Sequence, residues 1–181
     1  MMKNIIISIL MLTTFFSFSQ KKELRNAEKR LDEGFYNEAL DILSQVEGLI
    51  SSSDQKCQVQ YYYLLGWAEK GDNNFNNAIP NLRKAIDLDK LNKYKQNAQV
   101  FIDQIEIELV NSAVEDNKNE KFLSASKKLH DAYLINPDGT SNIDYLYFAA
   151  SSSVNGKDYK LALEYYNMLK DMGYTGIVTE Y

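Results

Sequence analysis

Proline and glycine are scarce in this chain of 181 residues: two prolines and eight glycines leave little punctuation for strands and tight turns, which favours long helices. Histidine and cysteine occur once each, as His130 and Cys57. A lone imidazole leaves nothing from which to build a histidine relay or a multi-imidazole zinc site, and a lone thiol cannot close an internal disulfide. The scattered glycines form neither GxGxxG nor GxxxxGK, so no phosphate-cradling loop is expected. No run of Lys or Arg offsets the net charge of -5, and phosphate neutralisation would need such a patch. The composition therefore points away from nucleic acid, metal, cofactor and small-molecule substrate.

What is present describes a packed, exported, helical protein. Hydrophobic content of 45% and charge of 25% support one core, in a chain whose length suits one domain. Residues 1–19 read differently from the rest. Lys3 gives a short positive start, Ile5 to Phe16 is an apolar run, and Ser17 and Ser19 supply small side chains. That is the layout of a secretory signal, too short for a bilayer span of about 20 residues. Cleavage after Ser19 leaves Gln20 first and places the protein in the periplasm or the medium. An uncleaved anchor is the alternative.

Four segments repeat one pattern, an aromatic residue followed by Ala three positions later and then by apolar or small residues at helical spacing. They are Tyr36, Ala39, Leu43, Val46; Phe75, Ala78, Leu82, Ala85; Phe122, Ala125, Leu129, Ala132; and Tyr159, Ala162, Tyr166, Leu169. Steps of three and four put each quartet on one helix face. A polar turn precedes each, and in three of the four it contains Gly, the residue that ends a helix most cheaply in the left-handed conformation. Before each turn runs another amphipathic stretch with a small residue at a matching place: Ala27, Gly66, Ala113 and Ala150. In the second copy Tyr62, Leu65 and Gly66 share a face. The predicted helix pairs are 21–33 with 36–50, 55–70 with 75–89, 93–118 with 121–135, and 143–154 with 158–172.

This pattern resembles the tetratricopeptide repeat family from about Gln20 to Gly176. The best-matching stretch runs from Leu65 to Asp89, with Leu65, Gly66, Gly71, Phe75, Ala78, Leu82 and Ala85 where the family places packing residues. Ile135 to Pro137 resembles the family's closing proline. The resemblance implies an all-α solenoid of about four antiparallel helix hairpins over residues 20–181, with repeats near 20–53, 59–92, 106–139 and 143–176. Two departures stand out. Ala39, Ala78, Ala125 and Ala162 are 39, 47 and 37 residues apart, against a family period of about 34. The excess falls in 93–105, where Tyr94, Ala98, Phe101, Ile102 and Ile105 continue a helical stripe and predict a lengthened first helix. Pro80 falls inside a second helix, where it removes a backbone bond and should kink or shift it.

Catalytic chemistry finds little to stand on. His130 reads as a solvated helix-face residue, and Cys57 as a structural thiol on a helix, with a nucleophile or intermolecular bridge as its alternatives. The acidic pairs Asp87/Asp89, Glu106/Glu108 and Glu115/Asp116 read as solvated helix faces rather than a glycosidase dyad. No enzyme is expected.

In the repeat family the first helices line a concave face that contacts a ligand. The resemblance places Tyr63, Trp67 and Lys70 of the second unit there, with Val110, Val114 and Asn117 of the third, Tyr147 and Ser151 of the fourth, and Leu24, Glu28 and Leu31 of the first. Tyr63 and Trp67 carry a second reading, packing against the lengthened third-unit helix. The expected function is a non-catalytic scaffold that binds a peptide or protein in the cell envelope, through Tyr63, Trp67, Lys70, Val110, Asn117 and Tyr147. The alternative is a structural fragment of a longer repeat protein. Its apolar tail, with Ile177, Val178 and Tyr181, would leave an uncapped C-terminal end open to self-association.

Overall fold

The computed structural model describes residues 20–136 and 142–176, and every regular element among them is helical. Residues 20–32 form α1. There follow α2 (Tyr36–Ser44), α3 (Glu47–Ile50), α4 (Gln55–Gly71), α5 (Phe75–Leu88), α6 (Lys95–Lys118), α7 (Phe122–Ile135), α8 (Ile143–Asn155) and α9 (Tyr159–Asp171). Residues 1–19 with the predicted signal, Pro137, and Ile177, Val178 and Tyr181 lie outside the described residues. The chain divides into two compact units, Met1–Ile102 and Asp103–Tyr181, and the division falls inside α6.

Helix pairing follows the predicted boundaries closely. The lengthened helix of 93–118 is α6, 24 residues long and about 36 Å at 1.5 Å per residue. Pro80 lies within α5, which runs unbroken from Phe75 to Leu88. One prediction fails: 36–50 is two helices, not one. Between α2 and α3 the backbone bonds shorten to three-residue spacing, Gln45 N–H to the Ile42 carbonyl and Val46 N–H to that of Leu43. Val46 and Ile50 still turn inward, 3% and 2% exposed.

The four turns between paired helices are built alike. In each, a left-handed residue stands two positions before the repeat aromatic: Gly34, Asn73, Glu120 and Lys157, with φ of +81°, 60°, 58° and 62°. The next residue's N–H reaches back five positions: Phe35 to Arg30, Asn74 to Glu69, Lys121 to Asp116 and Asp158 to Ser153, all at 2.8–2.9 Å. This is the Schellman closure, which satisfies helix-end carbonyls. The structure therefore corrects the expectation that glycine supplies the left-handed residue in three turns, since it does so only at Gly34. Gly71 and Gly156 serve close approach instead. A Cβ on Gly71 would stand 2.2 Å from the Tyr36 ring, and one on Gly156 2.7 Å from Leu123.

In the first unit the small residues draw α4 and α5 together. A Cβ on Gly66 would lie 2.6 Å from Leu82 and 3.1 Å from the Ala78 carbonyl. Leu24, Ala27, Ala39, Leu43, Leu64, Ala68, Ala78, Leu82 and Ala85 are all at 0% exposure and form the core of the unit. Leu64, not the predicted Leu65, is the buried leucine of α4, because the helix turns its Tyr61–Leu64–Ala68 face inward. In the second unit Ala113, Ala125, Leu129, Tyr133, Leu146, Ala149, Ala150, Tyr165 and Leu169 pack into one cluster. Two buried hydroxyls join it: Ser126 and Ser153 lie 2.7 Å apart, either able to donate to the other, and both are within donating distance of the Ala149 carbonyl oxygen, at 2.8 and 3.0 Å. The fourth quartet departs from the rest. Tyr159 and Tyr166 are 64% and 38% exposed, and Tyr165 takes the buried place.

Candidate functional site

Where α1, α4 and the α5–α6 connection meet in the first unit, the surface sinks into a groove of about 810 Å³. Its floor is apolar and buried: Cys57 and Val59 from α4, and Tyr94 before α6. Its rim is cationic, with Lys21 and Arg25 from α1, Lys56 from α4, and Lys90 and Lys93 from the connection. Exposed Leu91 stands at the mouth. Two carboxylates also line the groove, and both are engaged in capping. Asp54 accepts the Cys57 N–H at 2.8 Å as the N-cap of α4 and pairs with Lys21 at 3.2 Å. Those backbone and Lys21 contacts hold its carboxyl below the usual range. Asp89 accepts the N–H groups of Tyr94 and Lys95 at 2.6 and 3.0 Å, where α6 begins. Burial pushes the Asp89 carboxyl up, but the backbone N–H donors outweigh it and leave it lowered. Lys93 donates to the Tyr94 hydroxyl at 2.8 Å and sits over its ring, which raises its pKa. The groove thus presents five cations against two occupied carboxylates.

None of the six residues predicted for the ligand face lines this groove. Tyr63 is buried, stacked on Phe101 at 5.8 Å and tilted against Tyr94 at 4.7 Å. Trp67 is half-buried against Tyr63 and Phe101, at 6.1 and 5.6 Å. Phe101 of the lengthened α6 and Tyr94 just before it supply these aromatic partners, so the second reading, packing, describes Tyr63 as core and Trp67 as a shoulder of the same cluster. Lys70 is half-buried one turn further along α4. Val110, Asn117 and Tyr147 belong to the second unit. Val110 is half-buried, Asn117 accepts the Ser152 hydroxyl at 3.1 Å, and Tyr147 meets Phe148, Tyr166 and Tyr174 within 5.7–6.3 Å. Leu24 and Leu31 of the first helix, predicted to face a ligand, are core residues.

Two expectations about polar residues also change, those for the acidic pairs and for His130, while Cys57 stays a structural thiol on a helix. Asp89 and Asp116, read as solvated, are 7% and 9% exposed. Asp116 accepts from Lys128 and from the Ser124 hydroxyl at 2.6 Å, and these donors, led by Lys128, lower its pKa. His130 is half-buried and stacked on Tyr165 at 4.7 Å, and burial lowers its pKa. Cys57 is buried, and desolvation raises its thiol pKa. The groove cations were overlooked because Lys21, Arg25, Lys56, Lys90 and Lys93 are dispersed in sequence; only the spacing of Lys21 with Arg25 on one face of α1 offered a local signal.

Compared with known proteins, the chain matches no family model, no curated protein and no solved structure. No helix among the described residues is long and apolar enough to cross a membrane.

Proposed function

We propose that this protein is an exported, non-catalytic binding module of the cell envelope, a tetratricopeptide-like solenoid that takes an acidic peptide segment of a partner protein. The observation that carries the reading is the groove between α1, α4 and the α5–α6 connection, with its apolar floor and cationic rim. A peptide with alternating acidic and apolar residues would satisfy both: apolar side chains on Val59 and Tyr94, carboxylates toward Arg25 and Lys56. Charge complementarity at an exposed rim of this kind sets specificity and association rate.

The test uses the mature chain and a fluorescein-labelled peptide rich in Glu and Leu, read by anisotropy. Saturable binding is expected, weakened about tenfold or more by Arg25→Glu with Lys56→Glu, the equivalent of about 1.4 kcal/mol. Lys22→Glu, on the same helix outside the groove, should change little. Equal binding of a Lys- and Leu-rich peptide would overturn the reading.

A second reading, self-association, is favoured by the exposed stripe Tyr159, Leu163 and Tyr166 on α9, at 64%, 61% and 38% exposure. Spacings of four and three place them on one face.

A further inference from the structure

The α4–α5 hairpin carries a feature that the groove leaves unused: a carboxylate placed in the wall of a second pocket. Glu69 is 7% exposed, although charged side chains are almost never buried without a partner. The Asn81 side-chain amide donates to its Oε2 at 2.8 Å, and among the described residues no Lys or Arg is paired with it. Glu69 lines a pocket of about 300 Å³ on the side of the hairpin facing α3. Tyr61 and Tyr62 form a second wall, their rings edge to face at 5.3 Å. Glu47 of α3 stands at the rim as a second carboxylate, and Leu65 and Pro80 supply apolar surface.

Each wall favours the same chemistry. A carboxylate in a low-dielectric setting attracts a cation far more strongly than it would in water. Tyrosine faces attract ammonium groups, and Tyr62 already holds one, the Lys84 Nζ at 4.2 Å from its centroid. Apolar surface suits the methylene stem behind such a charge. Because Asn81 holds one oxygen of Glu69, a forked guanidinium would lose its bidentate pairing, whereas a point-charge ammonium needs only the other oxygen. A hard divalent ion would ask for six or more oxygens, which two carboxylates and two amides among tyrosine rings do not offer.

We propose that this pocket is a binding site for the ammonium terminus of a lysine side chain presented by a partner protein, held by Glu69 and Glu47 beside the tyrosine wall that Tyr61 and Tyr62 form. The site is separate from the cationic groove and stands on its own observations. The ammonium binds the ionised carboxylate. Binding therefore strengthens as pH rises through the Glu69 pKa, with Glu47, Tyr61, Tyr62 and Lys84 as the other titratable groups at the site.

The test is calorimetric titration of the mature chain with Nα-acetyl-lysine methylamide, its Nε-acetylated form, and free lysine. The blocked lysine is expected to bind saturably, and Nε-acetylation to weaken it at least tenfold. Glu69→Gln should do the same while leaving the melting curve cooperative and acidic-peptide binding in the groove intact. Asn77→Lys, which places an ammonium on the exposed pocket rim, should also compete the ligand out, and serves if Glu69→Gln does not fold. Equal binding of the acetylated form, no saturable binding, or unchanged binding by both variants would overturn the site. Tighter binding of free lysine than of the blocked form would overturn the assignment to a partner's side chain.

Discussion

Gly66 and Gly48 are both helical glycines, yet their surroundings set opposite expectations. A Cβ at Gly66 meets Leu82 and the Ala78 carbonyl within 3.1 Å, whereas one at Gly48 meets nothing within 4 Å. Gly66→Ala should therefore destabilise by about 1–3 kcal/mol through overpacking. Gly48→Ala should be neutral or stabilise by up to about 1 kcal/mol, because alanine is the better helix former. Thermal melts of the two variants side by side check this, and equal melting temperatures would refute the packing account. Glu69 gives a pH test. Burial raises its pKa above the ordinary 4.5, and the Asn81 bond only partly opposes this. The folded state then holds its proton more tightly than the unfolded chain, so stability falls as pH rises from about 4.5 through the folded pKa. Glu69→Gln should accordingly raise the melting temperature at neutral pH, and the gain should vanish below the unfolded pKa. A variant less stable than the parent at pH 7 would contradict the sign.

The turns between paired helices repeat their geometry without repeating their sequence. Glycine adopts the left-handed conformation at no steric cost, asparagine tolerates it, and glutamate or lysine is strained there. Gly34, Asn73, Glu120 and Lys157 therefore occupy equivalent places at unequal cost. Glu120→Gly is expected to stabilise by about 0.5–1 kcal/mol after the unfolded chain's added entropy is subtracted. Asn73→Gly should gain less. Urea denaturation at constant m-value measures both, and a larger gain at Asn73 would count against the strain argument.

Net charge and surface pattern pull in different directions over the entire chain. With -5 overall, the protein repels an acidic ligand at long range, and only the groove cations attract it. Binding of an acidic peptide should therefore weaken with added salt, since the groove cations are exposed and screening at 0.15 M acts beyond about 8 Å. Affinity unaffected by salt would place binding elsewhere. The stripe on α9 makes a separate demand. Leu163→Glu should suppress any concentration-dependent assembly seen by sedimentation velocity. A parent that stays monomeric at every concentration would remove the self-association reading.

Much of the fold was legible in the sequence because it rests on local physics. Three- and four-residue spacing, small residues at recurring places and the run from Tyr94 to Leu109 mark helices through contacts within one or two turns. The boundaries of α4 through α9 were accordingly read to within about two residues. The engagement of Asp116 was not legible, and the burial of Tyr63 was only one of two open readings, because both depend on partners brought in by folding. Tyr63 is core only because Phe101 and Tyr94 arrive beside it, and Asp116 is buried only because Lys128 and Ser124 fold back to it. The candidate site lies wholly on this second side. Lys21, Arg25, Lys56 and Lys93 are ordinary surface cations along the chain, and three-dimensional folding alone sets them around one apolar floor. Sequence by itself determined where the helices run; tertiary packing decided which faces meet and which charges converge, since burial and electrostatic focusing depend on distance in space.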